Sequence, residues 1–342
     1  MAVLDDQAGH GGAARSAAGS PRSDRLYIAW KTECFRSLQT AYVLEAPLAL
    51  VHPGAGKGKL GALIRYGLSS LETIGLLMRR RPRVLAVLNQ PLPLIVISAL
   101  YVRLTGAKLV LDGHSKPFAA SPASLYGRLY KWVTRTATLT INHNDDDARI
   151  VDSWGARGVV FEALPFVLPT PITPAPPRAP YVACVCSFAA DEPIAVIMDA
   201  VRALAPLEVR ITGNWRKSGI AREDFPANLI PTDFLPTRDY YELLAGAAVV
   251  VTLSNRDWIM QMAVEEAMLL GVPVVTNFSP VLQKVLADGA AFTTLDAGAL
   301  AAAVTEVIGH RARYQQAIQV AANVLRERIG ARLADVKPLL GA

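Results

Sequence analysis

Leu253-Ser254-Asn255-Arg256-Asp257-Trp258-Ile259-Met260-Gln261-Met262-Ala263-Val264-Glu265-Glu266-Ala267-Met268-Leu269-Leu270-Gly271-Val272-Pro273-Val274-Val275 passes from the end of one apolar run, through a polar loop and a helix-length stretch, into a second apolar run. Ala248–Leu253 reads as a strand, Met260–Leu270 as a helix and Val272–Thr276 as the next strand, with Gly271 placed to stop the helix. Strand, helix, strand in this order is the crossover that parallel neighbours require. The loop carries Arg256 and Asp257, and the helix carries the candidate site carboxylates Glu265 and Glu266. Glu266 lies within an otherwise apolar face with Met262, Leu269 and Leu270; the alternative is a solvated Glu265 with Glu266 in a structural ion pair. A carboxylate on such a face needs a polar partner, and a structural ion pair or a bound ligand would each supply one.

The alternation continues outward. Tyr181–Cys186, Glu208–Thr212 and Leu229–Ile230 read as strands, and Pro193–Leu204 and Tyr240–Ala245 as helices. Asp191 and Glu192 precede the first of these helices at its positive end, and Ala299–Leu333 is almost wholly helical. Seven prolines between Pro165 and Pro180 exclude helix and central strand, which leaves a stiff extended linker. Ahead of it the pattern repeats, with strands Leu26–Trp30, Pro47–His52, Val84–Leu88, Lys108–Asp112 and Thr138–Asn142. Helices Lys59–Arg81, Leu94–Leu104 and Leu125–Ala137 lie between them. The expected fold is α/β, two Rossmann-like doubly wound domains in tandem with a cleft between the carboxyl ends of their strands. Residues 1–24 form a disordered tail, 25–164 the first domain, 165–180 the linker, 181–310 the second domain and 311–342 a C-terminal helical segment.

The 342 residues are 52% hydrophobic and 19% charged, which excludes a disordered chain and gives each of two domains enough length for a core. The net charge of +6 favours anionic partners but is spread too evenly to indicate nucleic acid. Cys34, Cys184 and Cys186 form no CxxC spacing, so no disulfide framework or zinc site is implied and a cytoplasmic setting is the default. No secretory leader is legible, and the apolar run Leu94–Val102 is far short of the ~20 residues that span a bilayer.

Glu266-Ala267-Met268 followed by Gly271-x-Pro273-Val274-Val275, with an acidic residue upstream at a strand end, resembles the nucleotide-sugar site of GT-B glycosyltransferases of family 4. Ser187-Phe188-Ala189-Ala190-Asp191-Glu192-Pro193, Thr212-Gly213-Asn214 and Asp233-Phe234-Leu235-Pro236 with Tyr240 and Leu243-Leu244 resemble, in order, the rest of that donor half. The resemblance implies a nucleoside-diphosphate sugar donor, UDP-linked, and transfer with retention of configuration. It implies no essential metal and no resident cofactor. It maps the ribose-binding carboxylate onto Glu266, where a carboxylate can accept two O–H bonds from a vicinal diol. It maps the sugar-contacting acid to the neighbourhood of Asp257. The usual pair is two Glu separated by seven residues, which would land on Trp258. Asp257 lies one residue further off and is a methylene shorter, a spacing closer to a subgroup with Thr-Arg-Glu-x-x-Met, with Arg256, Asp257 and Met260 in register.

The diphosphate needs cations or backbone N–H groups. Gly213-Asn214-Trp215-Arg216-Lys217 follows a strand, and its Gly allows close approach while Arg216 and Lys217 bring charge; a solvated basic loop is the alternative. Ser187 closes the preceding strand, where many relatives carry an Arg and a Lys and this chain carries acids. In the first domain, Asp112-Gly113-His114 resembles the family's Asp-x-His segment, whose His meets the donor sugar. His114 can hydrogen-bond a hydroxyl or relay a proton near neutral pH, or simply cap its loop. Glu33 and Arg36 follow the first strand, where acceptor-binding residues would sit. The donor phosphate can itself take the acceptor proton, so no protein base is required.

Gly54-Ala55-Gly56-Lys57-Gly58-Lys59 lacks the spacing and the Ser or Thr of a phosphate-binding P-loop. With Arg65 and Arg79-Arg80-Arg81-Pro82-Arg83 it brackets an amphipathic helix marked by Leu60, Leu63, Ile64, Leu68, Leu71, Ile74 and Met78. An anionic membrane surface at the inner face of a bilayer would attract such a helix at about 1 kcal/mol per nearby cation, and a solvated helix end is the alternative. Asn144-Asp145-Asp146-Asp147 reads as a helix cap rather than a metal site. The expected partners are thus a nucleoside-diphosphate sugar, a glycan or lipid-linked acceptor and an anionic membrane surface. A non-catalytic partner subunit of the same fold, suggested by the altered acidic pair, and a nucleotide-sugar epimerase are the rival readings.

Overall fold

The computed structural model describes residues 24–52, 58–113, 124–172, 179–256 and 260–341. They form two compact units, one of residues 24–166 with 329–341 and the other of residues 167–328.

The first unit is built on strands β1 (Arg25–Ala29), β2 (Leu48–Leu50), β3 (Val84–Leu88), β4 (Lys108–Asp112), β5 (Leu139–Asn142) and β6 (Gly158–Val160). They form one parallel sheet in the order β2-β1-β3-β4-β5-β6. Its helices are α1 (Phe35–Val43), α2 (Gly58–Arg80), α3 (Leu92–Thr105), α4 (Leu125–Thr136) and α5 (Asp145–Ser153). The second unit has β7 (Tyr181–Cys184), α6 (Ile194–Ala203), β8 (Glu208–Thr212), β9 (Leu229–Asp233), α7 (Thr237–Gly246), β10 (Val249–Thr252) and α8 (Met262–Leu270). It continues through β11 (Val274–Asn277), α9 (Pro280–Leu286), β12 (Ala290–Thr293), α10 (Ala297–Gly309) and α11 (Arg311–Val336). Its sheet is also parallel, in the order β12-β11-β10-β7-β8-β9.

Sheets covered by helices on both faces need strands that are apolar on both sides. Val84-Leu85-Ala86-Val87-Leu88 and Val249-Val250-Val251 satisfy this and are buried throughout. Gly106 and Gly271 close α3 and α8 in the left-handed conformation, φ 73° and 67°, where a Cβ would be strained. The acidic run at 145–147 is a helix start, with the Asn144 side chain accepting from the Asp147 N–H at 2.8 Å. In each sheet the strand order reverses beside its first strand, between β1 and β3 and between β7 and β10. Loops leaving the carboxyl ends of strands at such a point are where doubly wound folds bind ligands.

Some boundaries differ from expectation. β7 stops at Cys184, and β9 runs on to Asp233 across an irregularity at Ile211/Thr212. Pro193 caps α6 from outside instead of opening it. The helical tail is two helices that break at His310, and the boundary between the units falls within the second of them, α11. Beyond that boundary the Arg332 guanidinium bonds the Val160 carbonyl and reaches Glu162 at 2.9 Å, and Lys337 pairs with Glu45 at 2.7 Å. The N-terminal tail up to residue 23, the loop at 53–57 and linker residues 173–178 lie outside the described residues.

Candidate functional site

The loops at the switch point of the second sheet are tied to one another. Phe188, just after β7, has φ 57°, an uncommon conformation for a bulky residue, and its buried ring holds it there. The resulting turn aims the N–H groups of Ser187 (3.0 Å) and Ala189 (2.7 Å) at the Glu192 carboxylate. The Ser187 hydroxyl (3.2 Å) and Cys186 thiol (3.3 Å) donate to the same group. Converging backbone N–H groups beside a helix N-terminus make an anion-binding nest, and here the chain's own carboxylate fills it. Asp191 binds the loop after β10: it accepts from the Asn255 N–H on its carbonyl (2.6 Å) and from Ser254 Oγ on its carboxylate (3.2 Å), with Arg256 Nε 3.3 Å away. Ser254 N–H donates to Asn277 Oδ1 at 2.9 Å, which fastens the end of β11 to the same cluster.

Gly213 ends β8 at φ 88°, and a Cβ there would lie 2.1 Å from the Cys186 carbonyl oxygen. Only glycine permits the β7 and β8 loops to approach this closely. The Asn214 side chain accepts from the Arg216 N–H (3.2 Å), and the Arg216 guanidinium pairs with Asp233 (2.7 Å) while lying over the Trp215 ring. Lys217 is exposed, with no carboxylate partner among the described residues. Of the three cations expected for a diphosphate, then, Arg216 and Arg256 are engaged by Asp233 and Asp191, and Lys217 is available. Burial makes the neighbouring thiols poor acids: Cys184 is pushed up to about 12 and Cys186 is raised further.

Glu266 lies on α8 at 6% exposure. Its partners are two hydroxyls from α7: Tyr240 Oη stands 2.5 Å from Oε2 and Tyr241 Oη 2.9 Å from Oε1. No ion pair holds it among the described residues. Burial pushes its pKa up to about 7, the tyrosine bonds oppose that shift, and nearby Glu265 adds to it. Each carboxylate oxygen keeps the capacity to accept a second bond, so the tyrosines orient the group without exhausting its lone pairs. Glu265, which the alternative reading placed in solvent, is instead 1% exposed in the first turn of α8. Sequence reasoning singled out Tyr240 and placed Glu192 only at the positive end of a helix, and it found neither Tyr241 nor the Ser254–Asn277 tie. An adjacent tyrosine pair one crossover before an acidic helix is the signal that was available.

The first-domain candidates sit otherwise. Asp112, expected on the acceptor side, is fully buried and accepts from Tyr27 Oη (2.7 Å) and Thr40 Oγ1 (2.8 Å) on Oδ2. Arg36 is 1% exposed, with Nε 3.5 Å from Asp112 Oδ1 and Nη2 donating to the Phe161 carbonyl. Burial and Asp112 raise the Tyr27 hydroxyl well above its usual range. Arg36 and Asp112 thus form an interior ion pair that ties α1 to β4, and Glu33 is the exposed member of that loop. His114 and Asp257 lie outside the described residues.

Residues 179–310 match the family Glycosyl transferases group 1, a stretch that holds β7 through α10. HepE of Anabaena, solved in complex with UDP, superposes with a TM-score of 0.63 at 13% identity, over 92% of this chain and 99% of HepE. The chain has a GT-B fold. The same GT-B likeness extends to sucrose-phosphate synthase from Thermosynechococcus elongatus (TM-score 0.64, 11% identity, 92% of this chain and 99% of that one). It extends more distantly to UDP-GlcNAc 2-epimerase from Methanocaldococcus jannaschii (TM-score 0.54, 11% identity, 82% and 91%). No curated protein sequence matches. No helix among the described residues is long and apolar enough to cross a membrane.

Proposed function

We propose that this GT-B protein is a glycosyltransferase of the cytoplasm that moves a sugar from a UDP-sugar to a glycan or lipid-linked acceptor, with retention of configuration and no essential metal. The observation that carries the reading is Glu266, a buried carboxylate with an acceptor site left on each oxygen, in the segment that matches group 1 glycosyl transferases. Its partners Tyr240 and Tyr241 hold it still, which suits two hydrogen bonds to a ribose diol. Ser187, Gly213, Asn214, Arg256 and Lys217 surround the loop ends where the diphosphate would lie, and their donors offset charge on the leaving group. His114 and Asp257 are the residues proposed to meet the transferred sugar. In the reaction the acceptor oxygen bonds to the anomeric carbon as the bond from that carbon to the donor phosphate breaks. The acceptor proton passes to the departing phosphate oxygen, and UDP leaves.

A second reading has an observation of its own. Glu192 occupies the backbone N–H groups that a phosphate would otherwise take, which favours a partner subunit that keeps the fold without turnover. One experiment separates the two. The full chain is incubated with UDP-glucose, UDP-galactose and UDP-GlcNAc, with and without simple glycoside acceptors, and UDP release is followed. Release by the native chain and its loss in Glu266→Ala supports transfer. Binding of a UDP-sugar without release from any of them supports the non-catalytic subunit.

A further inference from the structure

Helix α2 is built inside out. It turns Ser69, Thr73 and Leu77 into the domain, and Trp30 Nε1 donates to Thr73 Oγ1 at 2.9 Å. The seven apolar residues that mark its periodicity face solvent instead, and Leu60, Leu63, Leu71 and Met78 are 68–71% exposed. At 100° per residue these seven fall within an arc of about 140°, and from Leu60 to Met78 the stripe runs about 27 Å. Only glycine (Gly67, Gly75) interrupts it; the helix's one acid, Glu72, lies beside the arc. Soluble monomers rarely leave a contiguous aliphatic surface of this size in water.

The surroundings say what covers it. α2 packs on α3, and α3 packs on α4. Where α2 ends, a hollow of about 810 Å³ is walled by Met78 and Leu104, the latter 86% exposed, together with Arg81, Arg83 and Lys108; Asp24 is the one acid lining it. A second hollow of about 470 Å³ is lined by Arg103 of α3 with Arg128, Lys131, Trp132 and Arg135 of α4, and by no acid. None of these cations, nor Arg79, is ion-paired among the described residues, whereas Arg202, Arg210 and Arg238 of the second unit all are. A second copy of the chain would set arginine against arginine across a two-fold axis, since a self-complementary interface repeats its own charges. An anionic bilayer meets both features at once, with its acyl boundary on the stripe and its phosphate headgroups on the rim.

We infer that the outer surface of α2, with the basic hollows beside it, docks the first domain onto an anionic phospholipid bilayer, α2 lying in the plane of the interface. The inference does not depend on the sugar-transfer reading.

The test is flotation of the full chain with vesicles of phosphatidylcholine alone and of an equal mixture with phosphatidylglycerol, at low and high salt. The native chain binds the mixed vesicles, not the neutral ones, and loses affinity as salt rises. Arg79→Ser, Arg81→Ser and Arg83→Ser together weaken partition about a hundredfold, at about fivefold per cation. Leu63→Ser with Leu71→Ser abolishes it, while circular dichroism and the thermal unfolding midpoint stay native. Equal flotation of native and Leu63→Ser/Leu71→Ser chains would overturn the proposal, as would no flotation of a folded native chain. Sedimentation equilibrium assigns the surface to a second copy if the native chain is a dimer that ignores vesicles and the leucine variant is a monomer.

Discussion

At the end of β4 in the first sheet, Asp112 meets Tyr27, Thr40 and Arg36 entirely out of water. At the ends of β7, β8 and β10 in the second, Ser187, Asn214 and Arg256 sit in loops that reach solvent and hold one another through Asp191, Glu192 and the glycine at 213. Both sheets are parallel and both reverse strand order beside their first strand. The same topology thus carries a buried polar cluster at the end of β4 in one domain and a polar loop cluster that reaches solvent in the other. The fold supplies the position and the loop chemistry decides its use. The match to group 1 glycosyl transferases respects the same division, covering the second sheet and not the first. The first domain's unsatisfied surface lies elsewhere, on α2.

The sharpest way to break this contrast is to remove the buried carboxylate of the first domain. Asp112→Ala leaves the Arg36 guanidinium in the interior without its counter-charge, a loss of about 3–5 kcal/mol. Calorimetry should show a large fall in the unfolding temperature, with UDP affinity unchanged in whatever folds; a parallel loss of UDP affinity would erase the distinction between the clusters. Next in size is Gly213→Ala. The backbone at φ 88° costs about 1–3 kcal/mol for a residue with a Cβ. The 2.1 Å approach to the Cys186 carbonyl must also be relieved by moving the loop. Both stability and UDP affinity should fall, and a variant that binds UDP normally would mean the β7–β8 junction has no part in the site.

Glu192→Ala sharpens the comparison from the other side. It empties the nest formed by the Ser187 and Ala189 N–H groups, so UDP affinity measured by calorimetry should rise about tenfold, or ~1.4 kcal/mol. An unchanged affinity would show that the diphosphate does not use those donors. The remaining comparison is the pH response of Glu266. Its folded-state pKa, about 7, lies above the ordinary carboxylate value of 4.5, so the folded chain binds the extra proton between those limits. Stability therefore declines as pH rises from about 4.5 towards 7 and levels off above it, while UDP affinity rises over pH 6 to 8 as the carboxylate ionises. Glu266→Gln should flatten both responses; a native-like pH dependence in that variant would assign the titration to another group.

Much of the fold was legible because parallel strands buried on both sides announce themselves as unbroken apolar runs. Val84–Leu88, Lys108–Asp112 and Glu208–Thr212 stand where their residues place them. β6 and β12 passed unnoticed, since Gly158-Val159-Val160 and Ala290-Ala291-Phe292-Thr293 are short edge strands with little pattern of their own. Glu266 was legible as a carboxylate in need of a partner, but the partner was not. Tyr240 and Tyr241 lie more than twenty residues away in the chain and meet it only because α7 and α8 pack side by side. Glu192 was read as complementing a helix dipole, and nothing local in sequence revealed that the left-handed turn at Phe188 would swing two N–H groups onto it. The periodicity of α2 marked a helix and its apolar face, but periodicity locates such a face without saying what will cover it, and among the described residues that face stands in solvent.

The central claim is that the polar loop cluster of the second sheet, with Glu266 beside it, is a UDP site. Calorimetric titration of the purified full chain with UDP, GDP, ADP and TDP, repeated on Glu266→Ala, tests it most directly. The account predicts saturable binding of UDP in preference to the other three, lost in the variant while the chain stays folded. No binding of any nucleotide by the folded native protein, or UDP binding that survives Glu266→Ala unchanged, would contradict it.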